Sequence, residues 1–277
     1  VPEVATIAFF HAHPDDEAIA TAGTMASLSD QGHRVVLVTA TRGELGEIPD
    51  GLLDEGETLA ERRLAELTEA CAILGVSRQI YLDYLDSGMA GEPTNDRPGS
   101  FAAADVDEAG QALAAILTEE AADVLVTYDE HGGYGHPDHI QVHRVGMRAA
   151  DIAATPVVYM STIDRDYMVS LLDQFNSGEW DADQGPPDNF DDLGEPAARI
   201  TTEVDVRTWV GRKRQAMSAH TSQIAETSFF LSMPEDLFNT VWGQEWYIRV
   251  RPDLPKPEGG LRESALLLEE RGDDEER

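Results

Sequence analysis

Phe9 to Ile19, FFHAHPDDEAI, ends an apolar run with two histidines and three consecutive acids, a composition that solubility alone does not explain. If Thr6–Phe10 is a buried strand and Glu17–Leu28 a helix, then His13, Asp15, Asp16 and Glu17 fall on the turn at the strand's carboxyl end, where open α/β sheets place their ligands. Outward from this stretch, apolar runs at Ile7–Phe10, Val35–Val38, Ile80–Leu82, Val124–Val126 and Val157–Met160 alternate with amphipathic segments near 17–31, 57–74, 104–121 and 138–153. That alternation predicts an α/β fold, a Rossmann-like and largely parallel sheet flanked by helices. A single domain is expected over residues 1–251. Its core is 1–165, a long Asp/Gly/Pro-rich loop insertion spans 166–200, and a smaller C-terminal portion of helix and strand occupies 201–251. Residues 252–277 read as an acidic, poorly ordered tail.

Fifty-three acids against twenty Lys plus Arg give a net charge of −33. A surface of that sign does not neutralise phosphate, which argues against nucleic acid and anionic membrane as partners. One cysteine, Cys71, excludes an internal disulfide and a Cys-rich zinc site. No stretch approaches the length of a membrane span and the first residues have no basic leader pattern, so a cytoplasmic location is expected. Oligomeric state is not legible.

A second cluster, Asp129–His143 (DEHGGYGHPDHIQVH), follows the fourth apolar run and holds four of the eight histidines. Pro137 suits the first position of a helix, which puts His136 at its entry, His139 one turn in and His143 a turn further. His13 and Asp16 lie three apart across a turn, and a third ligand is expected from this second cluster, with His143 as an alternative by spacing. Two imidazoles, one carboxylate and an open position describe a catalytic zinc better than a structural one. Asp138 either orients a histidine or favours the helix N-terminus, the latter being the default. His11 reads as a satisfied core histidine. Zincin, zinc-deaminase, serine-hydrolase and P-loop patterns are absent.

The motifs Ala12-His-Pro-Asp-Asp-Glu17 and His136-Pro-Asp-His139 resemble those of the PIG-L/LmbE-like de-N-acetylase family. Gly43-Glu-Leu-Gly-Glu47, Arg63–Leu67, Asp86-Ser-Gly-Met89, Tyr128–Tyr134 and His220–Ile224 are similar to its mycothiol-pathway branch. The resemblance implies one zinc per chain, or Fe2+ or another divalent ion, on His13, Asp16 and His139. It also implies Asp15 as general base, with His136 (as imidazolium) and Tyr134 acting on the amide. Glu47, Arg63, Asp86 and His220 are implied at a small amino-sugar substrate. The implied reaction is removal of an N-acetyl group from an N-acetylglucosamine-type glycoside. The rivals are an amidase acting on a larger acyl-glucosaminide, an antibiotic-tailoring sugar deacetylase and a non-catalytic metal-binding protein. Conjugate amidases of the branch tend to carry lysine where this chain has Ala20, which favours the smaller substrate.

Overall fold

Alternate side chains of the first strand, β1 (Thr6–His11), enter two different cores: Ile7 and Phe9 pack on one face of the sheet, Ala8 and Phe10 on the other. A strand buried on both faces reads as a continuous apolar run, and such strands need helices above and below. A computed structural model describes residues 4–48, 51–176, 193–225, 227–228, 230–252 and 261–267. After β1 come α1 (Asp16–Ala20), α2 (Ala22–Asp30), β2 (Arg34–Thr41), α3 (Leu59–Leu74), β3 (Arg78–Tyr84), α4 (Val106–Glu119) and β4 (Val124–Tyr128). Then follow α5 (Gly132–Gly135), α6 (Pro137–Ala153), β5 (Val157–Thr162), α7 (Arg165–Asn176), β6 (Thr202–Asp205), α8 (Val210–Ala219), α9 (Glu235–Trp242) and β7 (Gln244–Arg251).

The sheet order is β3-β2-β1-β4-β5-β7-β6, parallel from β3 to β5, with β7 and β6 antiparallel at one edge. Chain order reverses between β1 and β4, whose pairing sets Ile7 opposite Val124 and Phe9 opposite Val126. The crevice beyond their carboxyl ends is therefore the topological switch point of the sheet. Helices α2, α3 and α8 cover one face through Met25, Leu67, Leu74 and Met217, while α4 and α6 cover the other through Leu113, Val142 and Val145. Among the described residues no helix is long and apolar enough to cross a membrane.

Three features depart from the sequence reading. The helix expected over 17–28 breaks at Thr21 into α1 and α2, and Thr21 turns its hydroxyl to His11 at 2.9 Å. The segment read as a loop insertion begins as α7, and Gly194 and Glu195 hydrogen-bond back to the core through Gly133 and Ile163; residues 177–192 of that expectation lie outside the described residues. The segment read as a poorly ordered tail includes an anchored stretch, 261–267. There Arg262 pairs with Asp164 at 2.6 Å, Glu263 with Arg249 at 2.6 Å, and Leu266 is buried. Residues 253–260 and 268–277 lie outside the described residues.

The C-terminal portion is tied to the core by charge. Lys213 on α8 is 1% exposed and lies 2.7 Å from Glu245 on β7, whose carboxylate also accepts the Gly23 and Thr24 amides at the start of α2, each at 2.9 Å. Deleting one partner of a buried pair leaves the other charge uncompensated. Lys213→Ala is expected to cost about 3–5 kcal/mol in denaturant unfolding. A loss below about 1 kcal/mol would place the pair in the class of surface ion pairs and contradict this role.

Candidate metal centre and active site

The turn after β1 and the segment between β4 and α6 meet in the crevice. Pro137 opens α6, as expected, and the His136 side chain caps it by accepting the Asp138 amide on Nδ1 at 3.1 Å. His139, one turn in, faces the β1 turn: its Nε2 lies 3.3 Å from His13 Nδ1 and 3.3 Å from Asp16 Oδ1, and His13 Nδ1 lies 3.5 Å from Asp16 Oδ2. His13, His136 and His139 also form a group in which one nitrogen of each lies within 4.8 Å of the others.

The hydrogen-bond network distinguishes these imidazoles. His139 Nδ1–H donates to the Gly132 carbonyl at 3.1 Å, leaving the Nε2 lone pair facing the crevice. His13 Nε2–H donates to Asp138 at 3.2 Å, so in the neutral ring the Nδ1 lone pair faces the same point. His136 accepts on Nδ1, so its neutral form carries the proton on Nε2 and presents a donor. Two nitrogen lone pairs and the Asp16 carboxylate thus converge, a cluster that repels itself unless a positive charge lies among them. A cation with ligands at about 2.0–2.1 Å in tetrahedral geometry separates them by about 3.3 Å, which matches the observed spacing. Carboxylates draw positive charge to the same place. Although burial disfavours it, Asp138, Asp16 and Asp86 raise His13 well above the usual histidine range, so the Nδ1 that faces the crevice holds a proton until a cation takes its place.

Asp138 is buried on α6, accepts the Ser87 amide at 2.9 Å and the Ser87 hydroxyl, and holds His13. Asp138 stands in the first turn of α6, as its default electrostatic reading expects, and it also orients a candidate ligand, the carboxylate–histidine arrangement typical around metals. His143 donates to the Tyr128 carbonyl at 3.0 Å and stays out of the donor group. His11 is buried between the Tyr128 and Thr21 hydroxyls at 2.7 and 2.9 Å, and burial pushes it down to about 4, as a core histidine.

Asp15 sits beside the donors with φ 115, in a left-handed conformation rare for residues other than glycine. Burial pushes its carboxyl up to about 6 against the pull of Arg63, whose Nη2 lies 3.0 Å away. That value is close to where a general base works at neutral pH. His136 falls to about 4 through burial and the nearby His13 and His139. This favours the neutral form, whose Nε2–H is a donor, over the imidazolium expected from sequence.

Tyr134 is 54% exposed, with its ring 4.8 Å from that of His139, on a loop shaped by Asp129, which accepts the His131 and Gly133 amides at 3.0 and 2.9 Å. Gly132 has φ 62, and a Cβ there would fall 2.5 Å from His139 Cβ, so this backbone approaches the imidazole as only glycine allows. Of the four residues expected at the substrate, only Glu47 is exposed. Arg63, 3% exposed, binds Asp15 and the Gly43 and Pro14 carbonyls; Asp86, 4% exposed, lies 3.6 Å from His13 Nε2 and accepts the Gly88 and Leu45 amides. His220 is 0% exposed and 2.6 Å from Glu17, which corrects its expected contact with substrate. Sequence reasoning gave no role to Ser87 or Asp129, and it placed Glu17 on the β1 turn without its partner His220. An Asp opening a Gly-rich turn was the one available signal, since such a carboxylate caps the amides that follow it.

Residues 8–150 match the family model described as PIG-L, GlcNAc-PI de-N-acetylase. A 1D-myo-inositol 2-acetamido-2-deoxy-alpha-D-glucopyranoside deacetylase of Acidothermus cellulolyticus is 39% identical over 277 residues, spanning 95% of this chain and 94% of that one. Among solved structures, the N,N'-diacetylchitobiose deacetylase of Pyrococcus horikoshii matches with a TM-score of 0.56 at 23% identity, over 91% of this chain and 88% of that one. GalB, the 4-carboxy-2-hydroxymuconate hydratase of Pseudomonas putida KT2440, matches with a TM-score of 0.55 at 17% identity, over 92% and 99%. Proteins named for different reactions share this architecture, so the reaction has to be argued from the site.

Proposed function

This chain belongs to the PIG-L, GlcNAc-PI de-N-acetylase family, and on that premise we propose that it hydrolyses the acetamide of an N-acetylglucosaminyl-inositol, with a divalent metal on His13, Asp16 and His139. The observation that carries the ligand assignment is the set of partners behind each ring: Asp138 takes His13 Nε2–H and the Gly132 carbonyl takes His139 Nδ1–H, which turns the opposite nitrogens toward the metal, whereas His136 accepts on Nδ1. Zinc fits this N2O set, and the family's deacetylases support a metal-dependent hydrolase. When bound, such an ion supplies Lewis acidity at the amide oxygen and lowers the pKa of water.

The chain's own groups do the rest. Asp15, ionised at neutral pH, takes the proton of the attacking water at its carboxylate, and Arg63 holds that carboxylate in place. As the carbonyl becomes tetrahedral, His136 Nε2–H and the Tyr134 hydroxyl donate to the developing oxyanion. Asp15 then returns its proton to the nitrogen as the C–N bond breaks, giving acetate and a free amine. Asp138, Ser87 and Asp86 keep His13 in its donor tautomer. Exposed Glu47 is left to meet sugar or inositol hydroxyls, and Gln223 ties its carbonyl to the 220–224 loop at 3.3 Å.

Metal-loaded protein offered N-acetylglucosaminyl-inositol, N,N'-diacetylchitobiose and free N-acetylglucosamine tests the substrate. The inositol glycoside should show the highest kcat/KM by primary-amine release, because contacts remote from the amide contribute at the transition state. Equal kcat/KM on all three, or preference for chitobiose, would overturn the inositol assignment and leave the deacetylase chemistry.

A further inference from the structure

Glu17 and His220 take no part in the chemistry above, yet both are fully buried and joined by a 2.6 Å bond between His220 Nε2 and Glu17 Oε1. Among the described residues His220 Nδ1 has no hydrogen-bond partner, so the imidazole's polar contact there is directed wholly to Glu17. An imidazole kept in a core with one nitrogen unsatisfied carries a desolvation cost that an apolar residue there would avoid. The other Glu17 oxygen accepts the Asp15 amide at 3.0 Å. Asp15 is the residue whose backbone needs holding, because a non-glycine at φ 115 persists only where its surroundings over-determine it. Arg63 restrains the Asp15 carboxylate and the Pro14 carbonyl; Glu17 restrains the amide between them.

We propose that Glu17 and His220 form a positioning pair that holds the Asp15 turn in its left-handed conformation and so aims the base carboxylate at the reacting water. The proposal rests on Asp15 being the base. His220 comes from the end of α8, beyond the residues 8–150 that match the family model, and Glu66 on α3 fastens the same loop by accepting the Ser222 amide at 2.9 Å and hydroxyl at 2.6 Å. The C-terminal portion thereby controls the geometry of a base that lies on the first turn of the sheet, and neither member of the pair touches substrate.

The test is a double-mutant cycle on the metal-loaded protein with N-acetylglucosaminyl-inositol. His220→Leu fills the space without a donor and should keep one metal per chain and a KM within about twofold, while kcat falls on the order of 10–100-fold. His220→Gln, which retains a donor, should recover most of that kcat. In the Asp15→Asn background, His220→Leu should have no further effect, since the pair acts through Asp15. Wild-type kcat in His220→Leu, an equal loss in both backgrounds, or loss of metal would overturn the pair's role. If Asp15→Asn alone retains wild-type kcat, the base assignment has failed instead. Should His220→Leu not fold, Glu17→Ala carries the same cycle and is read the same way.

Discussion

Asp15→Asn is expected to lower kcat by about 10²–10⁴-fold, the usual contribution of a positioned general base, while the protein still binds one metal per chain. Asparagine tolerates the left-handed backbone of this position and can still accept a hydrogen bond from Arg63, so the substitution removes proton transfer with little change of shape. Kinetics of amine release with metal analysis on the same sample checks it. Retained turnover would show that another group takes the proton, and loss of metal would make Asp15 a ligand.

A loss of comparable size is expected at His139. His139→Ala deletes the nitrogen that lies 3.3 Å from both His13 Nδ1 and Asp16 Oδ1, and a three-donor set reduced to two should no longer hold a metal through gel filtration. Activity should fall to background with it. His136→Ala should keep its metal and lose turnover by about 10²–10³-fold, the range for one oxyanion donor. The reverse outcome, metal lost with His136 and kept without His139, would transfer the ligand role to the histidine that caps α6.

Much of this site is local in sequence, which is why it was legible. His13 to Asp16 occupy one turn, His136 to His139 one helix entry with Pro137 fixing its phase, and both follow apolar strands that leave little doubt about the sheet. The parts that escaped depend on long-range pairing. Ser87 reaches Asp138 from 51 residues away and His220 reaches Glu17 from 203, so neither distance nor partner is encoded in any spacing. Arg63 and Asp86 were placed at the substrate by resemblance, and sequence did not show that both are buried beside Asp15 and His13. At His136 sequence shows the residue type but not that the Asp138 amide takes its Nδ1, nor that burial and two neighbouring imidazoles lower its pKa. Strand β6, four residues with charged neighbours, has too short an apolar pattern to be seen and exists because β7 offers it an edge.

The central claim is that a single metal on His13, Asp16 and His139 works with Asp15 to release acetate. It is tested most directly by stripping the protein with a chelator and titrating zinc back while acetate and free amine are measured on N-acetylglucosaminyl-inositol. Both products should appear in equal amounts, absent in the stripped protein and rising in proportion to added metal until one equivalent per chain is bound. Full turnover in protein shown to be free of metal, or amine appearing without acetate, would contradict it.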